Sequence, residues 1–319
     1  MRLTDRVLSV LPPPASIAMD AAGVDISGES VKCVSLKRRG GGRFALDAYR
    51  QIAIPEGAVV AGEIQVSERL VEILRTLRLR FGVRFAHASL PGKKSQLYQT
   101  IVPVGASDFR ASIATSFKEQ IPLPEGEVVF DFEPMRTVEA GTVVSVTVCA
   151  RRIVDTYTRV FQSAGITLLS LEAEGQSLAR ATLSPSDKSL VIMIVDFGTK
   201  TTRIAITEHN VVACTETFDA EVDTLAPTLK KHLADWKTSS PSGISHIPVE
   251  KIIFCGSGAN LRGFAERLEG SVGVPVSMAN VWGNAVSLDS YIPPMPFPMS
   301  LEYATAIGLA ERNFISLPW

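Results

Sequence analysis

Two apolar runs of the chain end on an acid. In VDISGESVKCVSL (residues 24–36) the pattern reads as a buried strand up to Asp25, breaks on Ser27-Gly28-Glu29-Ser30, and resumes as a second strand. VDFGTKTTRIAI (residues 195–206) repeats the layout without a gap: Asp196 answers Asp25, Gly198 answers Ser27, and Arg203 answers Lys32. The pattern predicts two acid-tipped β-hairpins, one device built twice.

Between them the periodicity changes several times. A turn over residues 37–42 leads into FALDAYRQIAI, whose alternation predicts the third strand of an antiparallel meander. Ser67 is the expected cap of a helix carrying Leu70, Leu74, Leu77 and Phe81 at helical spacing, with Gly82 as its stop. Arg75, Arg78, Arg80 and Arg84 crowd the end of that helix, where a solvated cationic face suits the dipole. From residue 85 come AHASL, a Pro-Gly-Lys-Lys turn, LYQTIVPV, a helix capped by Ser107, then EVVFDFEPM and TVVSVTVCA. This α+β unit, residues 85–151, reads as an insertion into a first lobe made of residues 20–84 and 152–187. That lobe closes with the helix RRIVDTYTRVFQSAG and with ITLLSLEAEGQSLARATL, a strand that delivers Glu172 to its end before another helix.

Turn formers at residues 184–187 mark the boundary to a second lobe, residues 188–319. Its meander is followed by a helix near residues 223–236 and by KTSSPSGISHIPVE, which reads as a flexible loop. KIIFCGSGANLRGFAERL then predicts a strand, a turn at Gly256-Ser257-Gly258 and a helix from about Leu261. A last helix, about residues 300–313, carries Ala304 and Gly308 four apart, a stripe of small residues suited to close packing.

Composition adds exclusions. Thirty-two basic and 33 acidic residues among 319 leave no global signal for nucleic acid. The longest clean apolar run, LVIMIV, falls well short of the roughly 18 residues of a membrane span. Residues 1–19 are expected to be a mobile tether, since Asp5 and three prolines make a poor signal peptide. Cys33, Cys149, Cys214 and Cys255 form no CxxC and read as thiols of a reducing compartment, and the four histidines show no metal spacing.

The chemistry sits at the turns. Tight turns rich in Gly, Ser and Thr expose backbone N–H groups to an anion, and an acid just before such a turn can hold a magnesium ion through water. Two lobes closing their hairpins on one Mg-nucleotide would explain why each strand carries an acid to its tip. The order hairpin, acid, hairpin, glycine turn resembles the actin, sugar-kinase and FtsA superfamily, with its two-lobed ATPase fold of duplicated ribonuclease-H-like domains. The resemblance implies ATP and Mg2+ as ligands. Asp25 and Asp196 would lie near the metal, and Ser27, Gly28, Ser30 and Lys32 would serve the first phosphate hairpin. Gly198, Thr199, Lys200 and Thr201 would serve the second. Glu172 would position the attacking water, and Gly256, Ser257 and Gly258 would line the adenosine.

Within the superfamily, GVDISGESVKCVSL, YRQIAIPEGAVVAGEI, ASLPG, SFKEQIPLPEGEVVFDFEP, VDFGTKTTRIAI and YATAIGLAERN resemble the PilM family of type IV pilus assembly. That resemblance implies a cytoplasmic scaffold on the inner face of the plasma membrane. A groove between the first lobe and the FtsA-like inserted subdomain would accept the N-terminal peptide of a PilN-like membrane protein, beside other platform components and a possible homo-oligomer. Ser27 stands where many relatives carry glycine, Lys200 where the residue is often small, and Ala173 where proline is usual. These departures predict very slow ATP hydrolysis without partners. The alternatives are a small-molecule kinase of the same core, an FtsA-like filament or cell-division protein, and a GspL-like secretion protein. The first lacks an evident substrate base, the second a terminal amphipathic helix, and the third a membrane span.

Overall fold

A computed structural model describes residues 20–39, 43–120, 125–187, 189–219, 221–238, 244, 246–261, 263–286 and 291–313. The expected tether at residues 1–19, the glycine turn at 40–42, most of the polar loop at 239–245 and the last six residues lie outside the described residues.

The first meander is β1 (Ala22–Ile26), β2 (Ser30–Arg39) and β3 (Arg43–Ala53). A short ribbon of β4 (Val59–Val60) and β5 (Glu63–Ile64) leads to α1 (Ser67–Phe81). Leu70, Leu74 and Leu77 of α1 are buried, each burial contributing about 1.5–3 kcal/mol, and Gly82 ends the helix in the left-handed region at φ 72°. The cap is not Ser67 but Val66, with no side-chain bond, so packing rather than capping fixes this start. Two of the clustered arginines are spoken for: Arg75 donates to the carbonyl of Ser163 and Arg78 to that of Gly165.

β6 (Phe85–Leu90) runs parallel to β1 and leads into a separate three-stranded sheet. That sheet has the order β7 (Ser95–Pro103), β9 (Gly141–Ala150), β8 (Val128–Val138), and α2 (Phe109–Gln120) belongs to the same unit. Asp108 caps α2, not Ser107: its Oδ1 accepts from the Ala111 amide at 3.1 Å. The unit has its own core of Val102, Ile113, Val128, Val144, Val146 and Val148. It also docks on the second lobe, through an Arg136–Glu208 ion pair at 2.5 Å and a bond from Ser145 to the Val212 carbonyl at 2.6 Å.

α3 (Arg151–Ser163) returns the chain to the first lobe, β10 (Thr167–Ala173) pairs in parallel with β6, and α4 (Glu174–Thr182) follows directly. The second lobe runs through β11 (Ile192–Phe197), β12 (Thr202–Glu208) and β13 (Val211–Phe218), then α5 (Val222–Thr238), β14 (Lys251–Cys255), α6 (Phe264–Val272) and β15 (Val276–Met278), its five strands forming the second sheet. In chain order, both sheets run third, second, first, fourth, fifth strand: β3-β2-β1-β6-β10 and β13-β12-β11-β14-β15. Both meanders are antiparallel and both later pairs parallel. The sequence register is thus a structural one, Asp25 facing Lys32 and Asp196 facing Arg203 across their hairpins.

Part of the polar loop after α5 is docked. Trp236 Nε1 donates to the Ile247 carbonyl at 2.8 Å, and its ring lies 3.9 Å from that of His246. The expected last helix is two, α7 (Phe297–Leu301) and α8 (Ala304–Glu311). α8 is buried along its length and packs on α4 and on β1 of the first lobe. A Cβ on Gly308 would run into the backbone of Ser177 in α4, and one on Gly23 into that of Ala306 and Ala310. Among the described residues no helix is long and apolar enough to cross a membrane.

Candidate functional site

The hairpin tips that follow β1 and β11 touch across the two sheets, at the carboxyl ends of strands where open α/β folds bind ligands, and the space they bound is the candidate crevice. Asp25 is buried at the tip of β1, and its Oδ1 accepts from Ser89 Oγ at 2.8 Å. In the following turn the Ser27 amide donates to the Ser30 carbonyl, while Ser27 Oγ accepts from the Glu29 and Ser30 amides at 3.2 and 3.1 Å. The first hairpin therefore spends part of its donor set on itself. In the second hairpin the Gly198 amide donates to the Thr201 carbonyl at 3.0 Å, leaving Thr199 and Lys200 exposed at the tip.

The two tips touch. Thr199 Oγ1 donates to Glu29 Oε2 at 2.9 Å, and Lys200 Nζ lies 2.9 Å from Glu29 Oε1. These two partners hold the Glu29 carboxyl below its ordinary value, Lys200 foremost. Beneath the tips Arg203 joins the lobes: its NH1 donates to Asp196 Oδ2 at 2.6 Å, and its Nε lies 2.5 Å from Glu174 Oε2. Burial works against the charged form of Arg203, but Glu174, Asp196 and Asp25 outweigh it and hold the guanidinium above its ordinary value. Burial pushes the Glu174 carboxyl up to about 7, against the pull of Arg203. Gly92 presses on the same acid, since a Cβ there would meet Glu174 and Thr217.

Several expected site residues lie elsewhere. Glu172 does not face the crevice acids: Arg180 holds both its oxygens, at 2.6 and 2.9 Å, and Arg312 binds it as well. The acid that reaches Asp25, Asp196 and Arg203 is Glu174, two residues on, at the first position of α4. Lys32 turns away from the turn it was assigned to; its Nζ donates to the Glu302 carbonyl at 2.7 Å, over the Tyr303 ring. Gly256 adopts φ 89°, and its missing Cβ makes room for Asp196 and the Phe197 backbone. Gly258 makes room for the Phe197 ring, which stacks on Phe264 with centroids 5.9 Å apart. Both glycines thus serve contacts within the protein. Thr201, Ser30 and Gly28 stay with their turns, Gly28 exposed.

Sequence reasoning missed Glu174, Ser89 and Gly92, and used Arg203 only to set the register. A carboxylate at a helix N-terminus was a usable signal for Glu174, and an acid inside a phosphate-type turn was one for Glu29.

The model of the type IV pilus assembly protein PilM family matches residues 23–218. The chain belongs to the PilM family. Among solved structures it is similar to the PilM of a PilM–PilN type IV pilus biogenesis complex, with TM-score 0.76 and 20% identity, covering 94% of this chain and all of that one. It is also similar to the cytoplasmic domain of EpsL, an inner-membrane component of the Vibrio cholerae type II secretion system (TM-score 0.52, 12% identity, 89% and 93% covered). A third likeness is to the ethanolamine utilization protein EutJ of Carboxydothermus hydrogenoformans (TM-score 0.51, 15% identity, 94% and 90% covered). The fold is the actin-like, two-lobed one, with the three-stranded unit as its insertion.

The residues present divide the expected ligand in two. Thr199 and Lys200 already hold a carboxylate, so the tip offers an anion site of the kind a phosphate uses. A divalent metal ligated directly by side chains does not fit. Asp196 and Glu174 are committed to one guanidinium, Asp25 accepts from Ser89, and among the described residues no three Asp, Glu, His or Cys side chains are spaced to hold a metal ion.

Proposed function

We propose that this PilM-family chain is a cytoplasmic scaffold of a type IV pilus assembly platform at the inner membrane, binding the N-terminal peptide of a PilN-like membrane protein and a nucleotide in its crevice. What carries the reading is the match to a family of pilus assembly proteins over the first lobe, the insert and the first meander of the second lobe, with a likeness to a PilM–PilN complex that extends over 94% of the chain. The partner supplies the membrane anchor. The peptide's place is the groove between the first lobe and the insert, where β8 is one of the two outer strands of its sheet and can offer backbone groups to an extended segment. A second opening, about 680 Å³, lies between the start of β7 and β13.

The crevice acts as a binding site rather than a centre of turnover. A nucleotide phosphate would exchange for Glu29 on Thr199 and Lys200. Glu174, held by Arg203, is not free to orient an attacking water. The deciding experiment is fluorescence anisotropy of a labelled PilN-like N-terminal peptide against the full chain. Saturable binding at about micromolar concentration is expected. No saturation at millimolar protein would remove the partner from the reading.

A further inference from the structure

We infer that Arg203 is the resident cation of the crevice, standing where a phosphate-bridging metal would otherwise neutralise the acids, so that the crevice takes its anionic ligand without a divalent ion. The geometry is specific. One guanidinium spans two lobes, Nε on Glu174 from α4 and NH1 on Asp196 from β11, with Asp25 of β1 contributing to the same field. The Arg203 charge lies within ion-pair distance of both acids, with NH1 donating to Asp196, so a single side chain offsets two carboxyl groups at once. A magnesium ion would have to displace Arg203 from both partners, or sit beside it against like-charge repulsion.

The register makes the assignment to Arg203 selective. Lys32, its counterpart across the first hairpin, leaves the crevice for the Glu302 carbonyl, so the duplicated cation position serves the acids from the second lobe alone. Beneath the contact of the two tips, this ion-pair bridge is a second link between the lobes.

The test starts from the full chain without nucleotide, so it does not depend on the nucleotide reading. Mn2+ titration followed by electron paramagnetic resonance should find no tight site in the wild-type crevice. Arg203→Gln should acquire one, and adding Asp196→Asn should remove it again. Tight Mn2+ binding by the wild type that Asp196→Asn abolishes overturns the inference, as does a folded Arg203→Gln that gains no Mn2+. Should Arg203→Gln not fold, the wild type still decides: a fluorescent ATP analogue should bind within about threefold in EDTA and in excess MgCl2, whereas a loss of about tenfold or more in EDTA overturns the proposal. If the analogue binds in neither buffer, the nucleotide reading fails, and the wild-type Mn2+ titration alone decides for or against Arg203.

Discussion

The two hairpins share strand order and register, yet they spend their charges differently. In the first, Asp25 ends on a serine hydroxyl and Lys32 on a backbone carbonyl, each satisfied by a neutral partner. In the second, Asp196 and Arg203 bind each other, and Arg203 reaches across to Glu174. Duplication has kept the backbone and moved the electrostatics to one side. The cause is local: Glu174 stands within reach of Arg203, whereas what stands within reach of Lys32 is the C-terminal end of the short helix α7, where carbonyls are free to accept.

The sharpest way to break this asymmetry is to remove each cation in turn. Arg203→Met leaves buried Glu174 and Asp196 without a counter-ion and should cost about 3–5 kcal/mol in urea unfolding. Lys32→Met removes one charged hydrogen bond to a carbonyl, with both groups able to meet water, and should cost about 1–2 kcal/mol. Equal losses would mean that the hairpins carry equal electrostatic weight.

The next effect concerns the acid that makes the difference. Burial raises the folded-state Glu174 carboxyl to about 7 from an ordinary 4.5. Between those values the folded protein keeps a proton that the unfolded chain releases. Stability is therefore highest below about pH 4.5 as far as this group is concerned, and it falls as pH rises to about 7, by roughly 2–3 kcal/mol. Glu174→Gln should remove that slope from a series of denaturation curves taken over this window. A slope unchanged in the variant would place the titration elsewhere.

Backbone features read well from the pattern of residues, and side-chain destinations read poorly. The strands around Asp25 and Asp196, the register of both hairpins and the left-handed stop at Gly82 follow from alternation and from the demand for a residue tolerant of positive φ. The caps were misplaced by one residue because Ser67 and Ser107 each adjoin the true boundary, where side-chain bonding decides and composition does not. Glu172 and Glu174 were confused for a similar reason. β10 runs into α4 without a loop, and its pairing with β6 shifts between Leu168 and Ser170, so spacing alone could not tell which acid faces the crevice. Arg203 and Lys32 looked equivalent because they share a register position, but the direction of a long side chain depends on partners remote in sequence. Glycine turns mislead in the same way: Gly256 and Gly258 could admit a ligand, yet Asp196 and Phe197 use the space.

The smallest expected effect on stability falls at the tips themselves, where Glu29 of the first hairpin contacts Thr199 and Lys200 of the second. Both members of the ion pair are well exposed, with side chains 47% and 77% accessible, so water screens the pair and Glu29→Gln should change stability by less than about 1 kcal/mol. Ligand binding should respond more. Glu29 occupies the donors that a phosphate would use and repels a second anion beside it, so its loss should raise the affinity for a fluorescent ATP analogue by about threefold to tenfold. Lys200→Ala should act in the opposite direction, because it removes a donor from the carboxylate and the phosphate alike. The pair of variants separates competition from architecture. Competition predicts opposite signs, whereas a clasp that holds the tips at a binding distance predicts that both substitutions weaken the analogue, since either one opens the crevice.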